Sequence, residues 1–371
     1  MEDTTKGLMM TNLDIAHQRL YNQHLAGTPF EKPEDVVAWL GAVQAQEYAG
    51  AKWAVAQRTK GIRDAAIDQA FAEGTILRTH VMRPTWHFVT PADIRWILAL
   101  TAPRVNVVNA YYYRKFELDD AVFRRSNAAL IKALHGGKQL TRLELASVLQ
   151  QAGITTVTDD HLRLAYIMMR AELDGLICSG ALRGKQHTYA LLDERIPQAK
   201  TLERDEALAE LAKRYFTGHG PATLKDYMGW SGLTAVDAKA GLEMVKSQFA
   251  QEVVDGKIYW FAPNVPTTEE VSPTAHLLPA YDEYTIAYKD HSNVLDPQYL
   301  KQVISGNGIV IVIDGHIVGA WKRTFKKGTI IITPSLFAPL GQAEDQALAE
   351  AMQRYGAFLE MTVTLDDEGK R

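Results

Sequence analysis

The stretch Ala222–Phe261, ATLKDYMGWSGLTAVDAKAGLEMVKSQFAQEVVDGKIYWF, reads as helix, turn, helix and two-stranded ribbon. Ala222–Gly229 is spaced for a short helix, Trp230-Ser231-Gly232 for a turn, and Thr234–Gln248 for a second helix. Glu252–Val254 and Lys257–Phe261 then flank Asp255-Gly256, a pair able to take the positive φ angles of a tight hairpin. Helix, turn, helix and hairpin is the winged-helix pattern, whose second helix commonly lies in a DNA major groove. The same pattern also serves as a plain protein–protein module.

Working outward, the layout recurs. Leu140–Gln150 and His161–Leu173 are amphipathic segments separated by the Gly153 turn, with Asp159 or Asp160 as a cap for the second and Gly175 as its stop. Leu176–Ser179 and Thr188–Leu191 form a hairpin around Arg183-Gly184-Lys185. Nearer the start, Asn12 is a helix N-cap, and Pro33 suits the first turn of a helix carrying Val36, Val37 and Leu40. Ile62–Phe71 ends at Gly74, and Ile76–Val81 and Thr85–Val89 alternate as strands near Pro84. After about Pro266 the character changes: Gly308–Asp314, Ile317–Phe325 and Thr329–Thr333 read as strands, then a helix over Glu344–Tyr355 and a last strand over Ala357–Thr364. The expected fold class is therefore α+β. Tandem winged-helix units cover residues 1–90, 91–200 and 201–265, and a C-terminal β-rich domain over 266–371 packs on the third unit.

The chain has 371 residues, 47% hydrophobic and 23% charged, the proportions of a folded protein of two or three domains. Its apolar runs, Ile309–Ile313 among them, are far short of the roughly 20 residues that cross a bilayer. Glu2 and Asp3 interrupt the start, where an export signal would need an apolar core, so a cytoplasmic protein is expected. The single cysteine, Cys178, can form no internal disulfide and supplies no thiolate cluster for zinc. Net charge is −4, but Ile76–Phe116 holds six basic residues (Arg78, Arg83, Arg95, Arg104, Arg114, Lys115) against Asp93 alone. That window is +5 and the remainder −9. Its seven aromatic residues include Tyr111, Tyr112 and Tyr113. Cations mixed with aromatic faces suit a phosphate backbone with exposed bases. A solvated basic helix above buried aromatics fits the same composition.

Standard catalytic signatures are missing: the sequence has no G-x-x-x-x-G-K-[ST], no G-x-G-x-x-G and no H-E-x-x-H. No two histidines stand at i, i+4, and neither a metal nor a cofactor is expected. Tyr281-Asp282-Glu283-Tyr284 offers either a general base or a polar anchor between domains. Asp282 and Glu283 are adjacent, so in extended chain they face opposite ways. Gln44-Ala45-Gln46 closes the second helix of the first unit and sets two amides two residues apart, on one side of a strand or loop. Each amide has a carbonyl acceptor and two N–H donors, so the pair can hold and aim a water with no shift in ionisation. Two surface glutamines ending a helix would look the same.

Ala42-Val43-Gln44-Ala45-Gln46, with Trp53 and Arg58 downstream, resembles the AlkZ-like winged-helix DNA glycosylases. Arg83-Pro84-Thr85-Trp86-His87, His219-Gly220-Pro221-Ala222 and Leu278-Pro279-Ala280-Tyr281-Asp282-Glu283-Tyr284 extend the resemblance over nearly the whole chain. It implies a C-shaped arrangement of the units and a catalytic glutamine–apolar–glutamine motif at Gln44 and Gln46. Relatives of the YcaQ type carry aspartate at the second position; Gln46 sides instead with the branch whose substrates include bulky alkylguanines and interstrand crosslinks. The implied activity is monofunctional hydrolysis of N-glycosidic bonds to cationic alkylated purines. The implied partner is double-stranded DNA with alkylated bases or crosslinks, met by a monomer. Expected DNA contacts are Arg78, Arg83, Trp86 and His87 on the first hairpin, and Lys322, Arg323, Lys326 and Lys327 on a hairpin of the β-rich domain. A non-catalytic winged-helix transcriptional regulator is the alternative, and a scaffold for protein partners a third.

Overall fold

The computed structural model describes residues 10–157, 162–198, 200–263 and 273–365. The expected caps Asp159 and Asp160 and the Pro266 boundary lie outside the described residues.

Three times the chain runs helix, two further helices and hairpin, with a short strand after the first helix in the first two units and a single bridging residue, Ala222, in the third. In the first unit, helix Pro33–Leu40 leads into strand Val43–Gln44, helices Tyr48–Ala56 and Asp64–Glu73, and strands Leu77–His80 and Trp86–Val89. In the second, helix Asp120–Leu134 leads into Leu140–Thr141, helices Arg142–Gln151 and Arg163–Leu173, and strands Ile177–Ser179 and Thr188–Leu191. In the third, helix Arg204–Gly218 is followed by helices Leu224–Ser231 and Ala235–Val245 and strands Ala250–Val254 and Lys257–Phe261. Each time the segment before the two helices pairs with the second hairpin strand: Gln44 with His87, Leu140 with Tyr189, and Ala222 with Trp260.

Local chemistry fixes these boundaries. Thr141 and Glu144, and Thr223 and Asp226, form reciprocal capping boxes that satisfy free N–H groups at helix starts. Gly74 and Gly232 end helices at φ 83° and 70°, which a side chain would resist. Asp255 and Gly256, at φ 49° and 74°, form the turn anticipated from the sequence. Three expectations need correction. The first helix is capped by Thr11, not Asn12, because the Thr11 hydroxyl accepts from Asp14 and the Asp14 carboxylate accepts in return. Ala357–Leu359 continue the helix Gln342–Leu359, and the last strand is Thr362–Leu365. The glutamine pair stands after the helix Pro33–Leu40, which Gly41 stops at φ 78°, with Gln44 on the short strand Val43–Gln44 and Gln46 just past it, rather than closing a helix.

The C-terminal region is a five-stranded sheet in the order Thr362–Leu365, Thr329–Leu336, His316–Lys326, Val310–Ile313, Ala275–Leu278. All its pairings are antiparallel except the outermost, Thr329–Leu336 with Thr362–Leu365. The helix Gln342–Leu359 covers one face. Contrary to expectation, the sheet shares its main core with the first unit: Ile311, Ile313, Trp321, Ile330, Tyr355 and Phe358 pack with Val36, Leu40, Trp53 and Phe71. Trp53 Nε1 donates to the Leu277 carbonyl at 2.6 Å across this seam. A second core joins the first unit's hairpin and the Ile94–Lys115 helix to the third unit, through Leu77, Met82, Trp96, Tyr215 and Trp230.

Candidate active site

Strand Val43–Gln44 lies antiparallel to Trp86–Val89, with Val43 opposite Phe88 and Gln44 opposite His87. The ladder continues through Ala45, whose N–H donates to the Trp86 carbonyl at 2.7 Å. Burial alternates with the strand period: Val43 and Ala45 are enclosed at 1% and 0% exposure, Gln44 is half-buried and Gln46 exposed. Both amides therefore leave the backbone on the same side. Gln46 Oε1 accepts the Trp86 N–H at 3.4 Å.

The backbone under the pair is held by groups from four places in the chain. Arg78 Nε donates to the Ala45 carbonyl at 3.0 Å, and its guanidinium lies 4.3 Å from the Trp86 ring centre. The Trp86 ring rests on His80, which is hydrogen-bonded to Glu172 of the second unit. Glu283 Oε1 accepts the Gln44 N–H at 2.9 Å, and its Oε2 accepts Trp230 Nε1 at 2.8 Å. His219 Nε2 stands 3.4 Å from the same carboxylate. Glu283 is fully enclosed. Burial alone would push its carboxyl up, but His219, the Arg83 charge and the Gln44 N–H outweigh it and hold the group below the ordinary carboxylate range.

Arg83 and His87 face inward. Arg83 Nη1 donates to the Trp230 carbonyl, and Arg83 Nη2 reaches His87 Nε2 at 3.1 Å. A guanidinium has only donors, so His87 Nε2 is the acceptor and the ring proton sits on Nδ1, which donates to the Thr85 carbonyl at 2.9 Å. Burial and the Arg83 charge push His87 down to about 3, so the ring is neutral at working pH. Arg78 is 8% exposed and is likewise committed to protein groups. Of the four residues expected on the first hairpin, Trp86 alone lies immediately beside the glutamine pair with part of its surface open.

The second expected contact surface is the hairpin of His316–Lys326 and Thr329–Leu336, turned by Lys327 and by Gly328 at φ 73°. Lys322, Lys326 and Lys327 are exposed. Arg323 lies 3.7 Å from Glu47, the residue after Gln46 and the cap of the following helix. The arm of the hairpin thus starts beside the amides. Sequence reasoning missed Phe325, 55% exposed near the tip, and Trp230, a donor hidden in what looked like a plain turn. Lys52, two turns past the pair, is 6% exposed and bonds Asp64 at 2.7 Å and Asp68 at 3.0 Å. Among the described residues, no three His, Cys, Asp or Glu side chains gather as a metal site, and no helix is long and apolar enough to cross a membrane.

A family model described as DNA glycosylase AlkZ-like matches residues 37–358. An interstrand DNA cross-link repair glycosylase of Streptomyces sahachiroi is 26% identical over 335 residues, spanning 85% of this chain and 88% of that protein. The solved structure of the Streptomyces sahachiroi DNA glycosylase AlkZ has the same fold, with a TM-score of 0.78 and 20% identity, covering 97% of this chain and all of that one.

Proposed function

Since the chain belongs to the AlkZ-like DNA glycosylase family, we propose that it is a monofunctional DNA-repair glycosylase for cationic alkylated purines, with Gln44 and Gln46 aiming the attacking water. The observation that carries this reading is the pair of unionised amides on one side of a strand whose backbone is locked by Glu283, Arg78 and the Trp86 ladder.

The chemistry suits neutral groups. Alkylation at guanine N7 makes the base cationic, so when the C1′–N9 bond breaks its electron pair neutralises the ring and the base leaves without being protonated. The sugar passes through oxocarbenium character, as in glycoside hydrolysis. Water then bonds to C1′ and gives its second proton to solvent. An amide cannot take that proton. It can accept one hydrogen bond from the water and donate another, fixing the oxygen on line with C1′; such positioning is a large catalytic term. A neutral, undamaged base lacks the leaving ability that this scheme requires. Lys52, held by two carboxylates, is not a free amine for a Schiff base, which favours an abasic-site product over strand cleavage.

The repeat of three helices and a hairpin supports the reading as tandem winged helices in a C-shaped arrangement, here working as a monomer in the cytoplasm. Trp86 and the hairpin bearing Lys322, Arg323, Lys326 and Lys327 are the proposed DNA-facing groups, and crosslinked duplex is a proposed substrate. The test is incubation with duplex containing 7-methylguanine, followed by alkali. The wild-type protein should produce alkali-labile sites, and Gln44→Ala or Gln46→Ala should abolish them while leaving the circular dichroism spectrum unchanged. Excision at the wild-type rate by both variants would remove the mechanism. Tight binding to one undamaged sequence with no base release would favour a regulator.

A further inference from the structure

Beneath Gln44 lies a charge that the hydrolytic scheme does not use. The Glu283 carboxylate is 0% exposed, 239 positions from the strand it touches, and enclosed by Tyr215, His219 and Trp230, whose rings stack within about 5 Å of one another. Its two oxygens face different partners, one the Gln44 N–H and the other Trp230 Nε1. A carboxylate can accept from both of these N–H donors, whereas a glutamine of the same shape would accept from only one and turn its NH2 toward the other. A buried anion is expensive unless something recovers its cost, and aromatic surroundings screen it poorly. Arg83 lies close enough to favour the ionised state, but its own hydrogen bonds go to the Trp230 and Gly229 carbonyls and to His87, not to Glu283. Trp230 Nε1 and His219 Nε2 lie against Oε2, which leaves Oε1 as the oxygen facing the backbone of the strand that carries Gln44.

We propose that Glu283 is a positioning residue for Gln44 and that its negative charge favours the cationic sugar formed above the strand. The inference rests on the glutamine-positioned reading of the site. Through the N–H it fixes the Gln44 backbone, and so the direction in which the amide leaves. Through its field it stabilises charge that develops only as the glycosidic bond breaks, the condition for raising the rate rather than the affinity. The carboxylate takes no proton and touches no substrate.

The experiment is single-turnover excision of 7-methylguanine, with binding to the same duplex and thermal unfolding measured in parallel. Glu283→Gln keeps the shape and loses the charge together with one of the two acceptors. Its rate should fall about tenfold or more, equivalent to about 1.4 kcal/mol, while the Kd stays within about twofold. Glu283→Asp restores the charge at shorter reach and should recover part of the rate, which a purely structural role would not produce. Trp230→Phe, which removes one N–H donor from the carboxylate, should slow excision with binding retained, and it decides the matter if Glu283→Gln does not fold. Wild-type rates in the folded variants would overturn the inference, as would a loss confined to Kd. A wild-type protein that releases no alkylated base would remove the underlying reading as well. An active wild type with an inactive Gln44→Ala and an unimpaired Glu283→Gln would remove this inference alone.

Discussion

Arg58 and Asp282, 224 positions apart, form a two-pronged ion pair at 2.9 and 2.8 Å in which both side chains are at most 1% exposed. Every donor nitrogen of the guanidinium is engaged: Nη1 also donates to the Ala54 carbonyl, Nη2 to Gln23 Oε1 and Nε to the Gln23 carbonyl. The pair ties the first unit to the segment that carries Glu283.

Removing either partner strands the other charge in the interior. Arg58→Leu or Asp282→Asn should cost about 3–5 kcal/mol, as found when one member of a buried ion pair is deleted. Equilibrium unfolding in urea checks this, and a change below about 1 kcal/mol would mean that the pair contributes little.

Gly232 ends a helix of the third unit at φ 70°, and a Cβ added there would stand 2.2 Å from the Met82 carbonyl oxygen, on the first unit's hairpin. Gly232→Ala should therefore destabilise the protein by about 3 kcal/mol, combining left-handed strain with overpacking. The neighbouring Arg83–Trp230 hydrogen bond would shift, so excision should suffer in the folded fraction as well. A melting temperature equal to that of the wild type would refute this.

Two buried histidines set an acid limit. His87 and His276 are both pushed down to about 3, each by burial first, then by Arg83 for His87 and by Arg354 for His276. The unfolded chain takes up these protons near pH 6.5 and the native protein does not, so their stabilising effect is whole above that pH and shrinks as pH falls toward 3. The slope is up to about 1.4 kcal/mol per pH unit for each ring. Urea midpoints should drop between pH 7 and 5, and His276→Gln should flatten that fall.

Lys326 and Lys327 extend from the hairpin into solvent, where nothing in the fold requires their charge. Changing both to Ala should leave stability unaltered and weaken duplex binding. The slope of log K against log salt should become shallower by about 0.9 for each phosphate that a lysine had neutralised. An unchanged slope would assign the DNA-binding face elsewhere.

What the sequence disclosed was local. The Asp255-Gly256 turn, the helix stop at Gly74 and the Pro33 start all depend on a few adjacent residues, and all stand where the spacing put them, whereas the helix expected to end at Gly229 runs on to Ser231 and stops at Gly232. The long helix Ile94–Lys115 was legible only as one alternative for the basic window, without bounds, because Pro103 interrupts it and because both Trp96 and Leu98, on different faces, are buried. At the site, the Gln44 and Gln46 pair was visible in the chain; its support was not. Arg78, Arg83 and His87 read as cations for phosphate, yet each is turned to a carbonyl or a ring. Charge type is written in the sequence, but the direction a side chain takes depends on partners that arrive from afar, such as Trp230 and Glu283.

That distance has a consequence for the life of the polypeptide. The strand with the two amides emerges early from the ribosome, while the carboxylate that secures it is added 239 positions later. A nascent chain, a prematurely terminated product or a fragment left by proteolysis carries the amides on an unfastened strand. On the proposed mechanism, competence arrives only with the last third of the molecule, where that carboxylate lies.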